Sequence, residues 1–315
     1  MHRYIIKRLA LMIPVLLGIS VIVFLIMELI PGDPAQAILG SFATPENVAR
    51  LNAELGLDKP LVQRYFIWLG NILQGDFGRS ISLDRPVINE IRDRLGPTLL
   101  LAGSSLIFAA LFGMIAGVVA AVKQFGWQDS LFTFVVLIGI STPSFWLGLM
   151  FVLLFSVQLG WFPVSGMTAV VGGGGVLDVV HHLILPAVTL GIVATGVIAR
   201  LTRSTMLEVL RKDFIRSARA KGLTERSVII KHAYKNALVS IIPVLGIQTG
   251  FVIGGAVYIE TVFQWPGIGR MLVTAIQTRD ILLVQGGVVV IAVIYVLINL
   301  TVDVVQHVLD PRIDA

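Results

Sequence analysis

Six stretches of the chain are dominated by apolar side chains for nearly the length a bilayer requires: Leu9–Ile30, Leu99–Val122, Leu131–Val157, Leu183–Ala199, Ala237–Ile259 and Ile281–Val302. A helix needs about 20 such residues to cross the hydrocarbon core. The apolar residues come in long blocks instead of scattered core positions. They predict an all-α integral membrane protein with six transmembrane helices. Between the blocks the pattern changes. After the first, Pro31, Gly32 and Pro34 should end the helix as it leaves the membrane. Residues 31–98 then read as an external helical loop. Thr44 is an N-cap candidate with Pro45 at the first helical position, Val48, Leu51 and Leu55 follow at helical spacing, and Gly56 is the stop. A second helix follows over "PLVQRYFIWLGNIL", with Leu61, Tyr65, Trp68, Leu69 and Ile72 on its apolar face. "QGDFGRSI" is a turn, and "RPVINEIRDRLGPTLL" leads into the second span. The loop is expected to form a helical cap, with aromatic residues near the lipid headgroups.

Composition sharpens this picture. Hydrophobic residues make up 56% of the 315, and only 14% are charged, which leaves no room for a soluble domain of ordinary size. The basic start "MHRYIIKR" and "AQA" at 35–37 resemble a cleavable signal. The apolar run between them is longer than the roughly 7–15 residues of a signal core, so the first block reads as a retained anchor. The chain has no cysteine, hence no disulfide framework and no thiolate metal site.

The net charge is +5. With the N-terminus inside, segments 1–8, 123–130, 200–236 and 303–315 carry 3, 1, 10 and 1 Lys or Arg, and the short outer loops 158–182 and 260–280 carry 0 and 2. Cytoplasmic loops retain positive charge, and long external loops such as 31–98 escape that rule. The chain is therefore expected to be N-in and C-in. Its basicity needs no nucleic-acid partner.

Within the third block, Pro143 removes a backbone donor, and Ser141, Thr142 and Ser144 could satisfy the freed carbonyls. These three, with Gln248 in the fifth block, are candidate pathway residues; a packing kink is the competing reading. The glycines at 172–175 read as a flexible tether, since no "GK[ST]" follows them. Glu28 and Glu260 are placed at outer helix ends and Asp303 at an inner one, within reach of water or headgroups. None is at mid-membrane, which argues against a proton- or sodium-coupled carrier.

The charge-dense segment has internal order. "RLTRSTMLEVLRKDFIRSARAKG" reads as one helix, with Met206, Leu207, Leu210, Phe214, Ile215 and Ala218 on one face. Gly222 is a natural left-handed stop. Leu223, Thr224 as N-cap, and Val228 predict a hydrophobic staple opening a second helix. A basic amphipathic helix can simply rest on anionic membrane lipid, or face solvent as a retention loop, so these residues alone leave partner docking open.

"RSARAKG" resembles the EAA loop of ABC-importer permeases. Arg216 and Ser217 replace the first two consensus residues, Ala218 and Gly222 match, and the later Ile-x-Leu-Pro is absent. Both departures are similar to the dipeptide, oligopeptide, glutathione and nickel permeases, as are "IPGDP", "ELGLDKP", "GDFGRS", "FWLG", "WPGIGR" and "VDVVQHVLDPRI", in that order along the whole chain. The resemblance implies the ABC type I importer permease fold and half of a pathway for small peptides, with glutathione or nickel chelates as alternatives. It implies a second homologous permease subunit, two cytoplasmic ATPase subunits that use ATP and Mg, and an external substrate-binding protein, in the bacterial inner membrane. The ATPase-docking segment would be Arg216, Ser217, Ala218, Arg219, Ala220, Lys221, Gly222 and Leu223. No Walker A pattern occurs, so no cofactor is expected on this chain. "GIST" lacks the second glycine of an intramembrane serine protease motif at Ser141. The adjacent His181 and His182 lack the spacing of a zinc site, so an enzyme is not expected.

Overall fold

A computed structural model describes residues 2–29, 43–54 and 59–309, and these are mainly helical. In chain order the helices are α1 (His2–Glu28), α2 (Pro45–Glu54), α3 (Leu61–Leu73), α4 (Val87–Val122), α5 (Trp127–Ser141), α6 (Ser144–Gln158), α7 (Val176–Leu210), α8 (Asp213–Ala220), α9 (Glu225–Val262), α10 (Ile268–Gln277) and α11 (Ile281–Leu309). Two of them loosen into π-type turns, at Val152–Gln158 in α6 and Val228–Tyr234 in α9. Five helices (α1, α4, α7, α9 and α11) are long and apolar enough to cross a membrane, and α5 with α6 makes a sixth candidate if the bent pair is one span. The proposed exit turn at Pro31, Gly32 and Pro34, and the stop at Gly56, lie outside the described residues.

The third apolar block is not one helix. Its halves α5 and α6 are bent by 106°. Thr142 is extended, as the residue before a proline prefers to be, and Pro143 offers no N–H to continue the ladder. Thr142 satisfies the carbonyl of Ile138 with both its N–H (3.1 Å) and its hydroxyl (2.7 Å). Among the described residues, Ser141 and Ser144 make no side-chain hydrogen bond.

The chain divides into two compact units, Met1–Gly96 with Arg270–Val296, and Pro97–Gly269 with Leu297–Ala315. In the first, α3 is fastened to α1. Arg64 donates to both carboxylate oxygens of Glu28 at 2.8 and 2.5 Å, Ser20 and Tyr65 share a 2.8 Å hydrogen bond, and Phe24 packs on the rings of Tyr65 and Trp68. The same unit holds a buried carboxylate, Asp280, which accepts from the Ser80 hydroxyl (2.6 Å), the Ser82 hydroxyl (2.9 Å) and N–H (3.0 Å), and the Leu283 N–H at the start of α11. The predicted turn before α4 is present, with Gly75 and Gly78 both at positive φ.

In the second unit α7 is the central helix, packed against α5, α6 and α9. Leu101, Ile198, Val252, Ile259 and Trp265 form the heart of its core. Glu260 is not at a water-accessible end as the sequence suggested. It is fully buried, accepts from Thr98 Oγ1 at 2.7 Å, and the same hydroxyl accepts from the Ile268 N–H. The glycine run is no free tether either, because the N–H groups of Ala169 and Gly174 both donate to Asp178.

Close approach of α4 to α7 depends on missing side chains. A Cβ at Gly117 would lie 2.6 Å from the Ala199 carbonyl oxygen and 2.5 Å from Thr202 Cβ, whereas one at Gly103 would meet nothing within 4 Å. Without a hydrophobic drive between helices in lipid, such contact supplies the packing. Gly117→Val is therefore expected to cost about 1–3 kcal/mol by overpacking and to lower the thermal midpoint in detergent. Gly103→Ala should leave it unchanged or raise it. Equal losses from the two would refute this account of the packing.

Candidate functional site

The charge-dense segment folds differently from the single helix its periodicity suggests. α7 ends at Leu210, Arg211 and Lys212 form a corner, and α8 starts afresh with Lys212 extended at its N-cap. Asp213 occupies the first turn and Arg219 the last, the arrangement a helix dipole favours. Ile215 is completely buried and Ala218 nearly so. They join Ala121, Met206, Val209, Val228, Ala233, Ala237 and Ile241 in one cluster. α8 is thus bolted through one face to α4, α7 and α9.

The opposite face is open. Arg216, Ser217, Arg219, Ala220, Lys221, Gly222 and Leu223 are exposed, and Ala218 alone of the eight predicted docking residues is turned inward. Phe214, assigned to the buried face by periodicity, is 40% exposed, because the corner at 211–212 breaks the helical phase.

The turn after α8 is a Schellman motif. Gly222 has φ +78°, its N–H donates to the Arg219 carbonyl at 2.9 Å, and the Leu223 N–H donates back to Ala218 at 3.4 Å. Thr224 stands at the N-cap of α9 with extended backbone but makes no side-chain cap bond. The predicted staple is half present: Val228 is buried, while Leu223 is 40% exposed.

Charge closes the turn instead. Arg219 Nε and Nη2 donate to Glu225 at 3.1 and 2.6 Å, spanning the glycine. That hydrogen bond pushes the Arg219 guanidinium further above its ordinary range. Arg216 meets Asp213 at 3.5 Å, and Lys221 forms no ion pair among the described residues. The exposed face is therefore short and positive at Lys221. The pairing of Arg219 with Glu225 escaped the sequence reading, although a six-residue separation across a glycine turn is its only signal.

Of the pathway candidates, Ser141 is exposed, Thr142 and Ser144 are half-buried, and Gln248 is 5% exposed on α9. Gln248 makes no side-chain hydrogen bond among the described residues.

Residues 113–315, which include this whole segment, match the family model described as binding-protein-dependent transport system inner membrane component. The chain belongs to this family. Residues 1–102 match the corresponding N-terminal model. Relatives of the family member include the dipeptide transport system permease protein DppB of Alkalihalophilus pseudofirmus, 43% identical over 99% of each chain. The glutathione transport system permease protein GsiC of Escherichia coli strain K12 is 41% identical, again over 99% of each chain. Among solved structures, two inward-facing forms of the MetNI methionine ABC transporter share the fold, with TM-scores of 0.57 and 0.58. They are 19% and 18% identical, and each match covers 70% of this chain and 95% or 96% of the other. The family member is thus an all-α, multi-pass membrane protein, the permease subunit of an ABC importer and not an enzyme. Systems of this family include ATPase and substrate-binding partners.

Proposed function

We propose that this permease carries small peptides inward, taking them from an external binding protein, and forms half of the pathway beside a second homologous subunit. Two cytoplasmic ATPase subunits use ATP and Mg, while this chain binds no cofactor. Both termini face the cytoplasm of a bacterium, in its inner membrane. The near-equal identity to dipeptide and glutathione permeases makes glutathione the specific alternative substrate.

The observation that carries the reading is the two-faced α8. Its exposed side (Arg216, Ser217, Ala220, Lys221 and Leu223) supports docking on an ATPase. Its buried side, Ile215 and Ala218, would pass any displacement straight into α4, α7 and α9. Interfaces between packed elements shift as whole bodies and do not deform smoothly. A lever of this kind therefore suits alternating access.

Uptake of labelled dipeptides and of glutathione in a deletion strain tests the substrate. Loss of dipeptide uptake, restored by the gene, is expected. Loss of glutathione uptake alone would transfer the assignment to that tripeptide, and loss of neither would remove the peptide reading.

A further inference from the structure

Helix α3 has three distinct faces, and among the described residues its contacts with α1 engage one of them. At 3.6 residues per turn, Arg64, Trp68, Leu61, Ile72 and Tyr65 follow one another around the side turned to α1. Beyond Tyr65 come Leu69, Val62, Leu73 and Phe66, a narrow apolar stripe. Val62, Phe66 and Leu73 are 65%, 64% and 79% exposed. The remaining side carries Gln63, Gly70 and Asn71, interrupted by Ile67.

Two side-chain contacts fix which way the stripe points. Arg64 reaches along α1 toward its end, to Glu28, while Tyr65 reaches the other way, to Ser20. Going round α3 from Arg64 through Tyr65 and onward therefore means turning from the end of α1 toward its apolar middle. The Val62–Phe66–Leu73 stripe lies beyond Tyr65 in that sense, so it faces the level of the membrane core. Gln63 and Asn71 face the water at the Glu28 end.

Depth follows from the same contacts. Phe24 packs on both Tyr65 and Trp68, one turn apart on α3, so α3 crosses α1 near Phe24. That is four residues inside Glu28, or about 6 Å at 1.5 Å per residue. Amphipathic helices lying in a bilayer interface sink about 5–10 Å. The apolar window of α1 at this level is itself largely unburied by protein, with Ile22 and Ile26 57% and 54% exposed, so the stripe continues a lipid-facing surface.

We infer that α3 is an interfacial anchor. It lies in the plane of the membrane at the Glu28 end of α1, with Val62, Phe66, Leu69 and Leu73 in the acyl-chain boundary and Gln63 and Asn71 in water. Its partner is lipid. This inference rests on the membrane location of α1 and is independent of substrate, of ATPase docking and of which side of the membrane is outside.

The absence of native cysteine allows a direct test on the full chain. Phe66→Cys, Val62→Cys and Gln63→Cys are each labelled with an environment-sensitive fluorophore. Each is reconstituted in nanodiscs of phosphatidylethanolamine and phosphatidylglycerol, with and without the partner subunits. Nitroxide-bearing lipids should quench positions 66 and 62 several-fold more strongly than 63, with the shallow nitroxide outperforming the deep one. Aqueous iodide should show the reverse order. Iodide quenching at 66 and 62 equal to that at 63 overturns the inference. So does lipid quenching that disappears when the partners assemble, which would assign the stripe to a protein.

Discussion

Gly222→Pro abolishes transport while leaving the chain folded in the membrane: that is the outcome expected from the turn after α8. The glycine occupies φ +78° and donates its N–H to Arg219. Proline fixes φ near −65° and has no N–H, so it fits neither requirement. The damage is local, because no side-chain atom approaches within 4 Å of a Cβ placed there. Gly222→Ala keeps the donor and meets only the left-handed penalty of about 1–2 kcal/mol, so it should lower uptake partially. Uptake, ATPase co-purification and circular dichroism together read the result. If Gly222→Pro transported at the wild-type rate with its ATPase bound, the turn would have no part in coupling.

A second large effect is expected at Arg203. Its guanidinium donates two 2.7 Å hydrogen bonds to Asp129, a residue 5% exposed at the start of α5. The same carboxylate accepts the N–H of Phe125, which sits at φ +63°, a conformation a bulky residue rarely adopts. Arg203→Ala strands the charge of Asp129 and should destabilise the protein by about 3–5 kcal/mol. Arg203→Lys keeps the charge but loses the two-pronged geometry, so an intermediate loss is expected. Combining Arg203→Leu with Asp129→Leu should recover much of the stability, because no buried charge is then left alone. Thermal unfolding in detergent measures all three. A double variant as unstable as Arg203→Ala alone would mean that the pair is not coupled.

Helix positions were largely legible in the sequence, because hydropathy and proline placement act locally. The break at Pro143 and the stop at Gly222 follow from residue chemistry alone. What could not be read was phase and partnership. The corner at Arg211–Lys212 has no proline or glycine to announce it, and it reassigns Phe214 from the buried face to the open one. Ala218 matches the family motif yet points inward, since a motif fixes residue types and not the rotation of the helix that carries them. Asp129 with Arg203, and Glu260 with Thr98, join residues far apart in sequence, where no spacing rule operates. The buried state of Glu260 shows the consequence: a carboxylate at the end of an apolar block looks solvated until the element that covers it is known.

The carboxylate of Asp280 bears on how the molecule is made. It meets Ser80 and Ser82 across roughly two hundred residues, and the unit they share is assembled from the first and nearly the last parts of the chain. During synthesis the segment before α4 emerges without its acceptor, and every intervening helix must enter the membrane before the bond can close. Long-range contacts of this kind form late and leave earlier segments exposed in the meantime. A chain cut short before Asp280 would leave Ser80 and Ser82 without their shared acceptor.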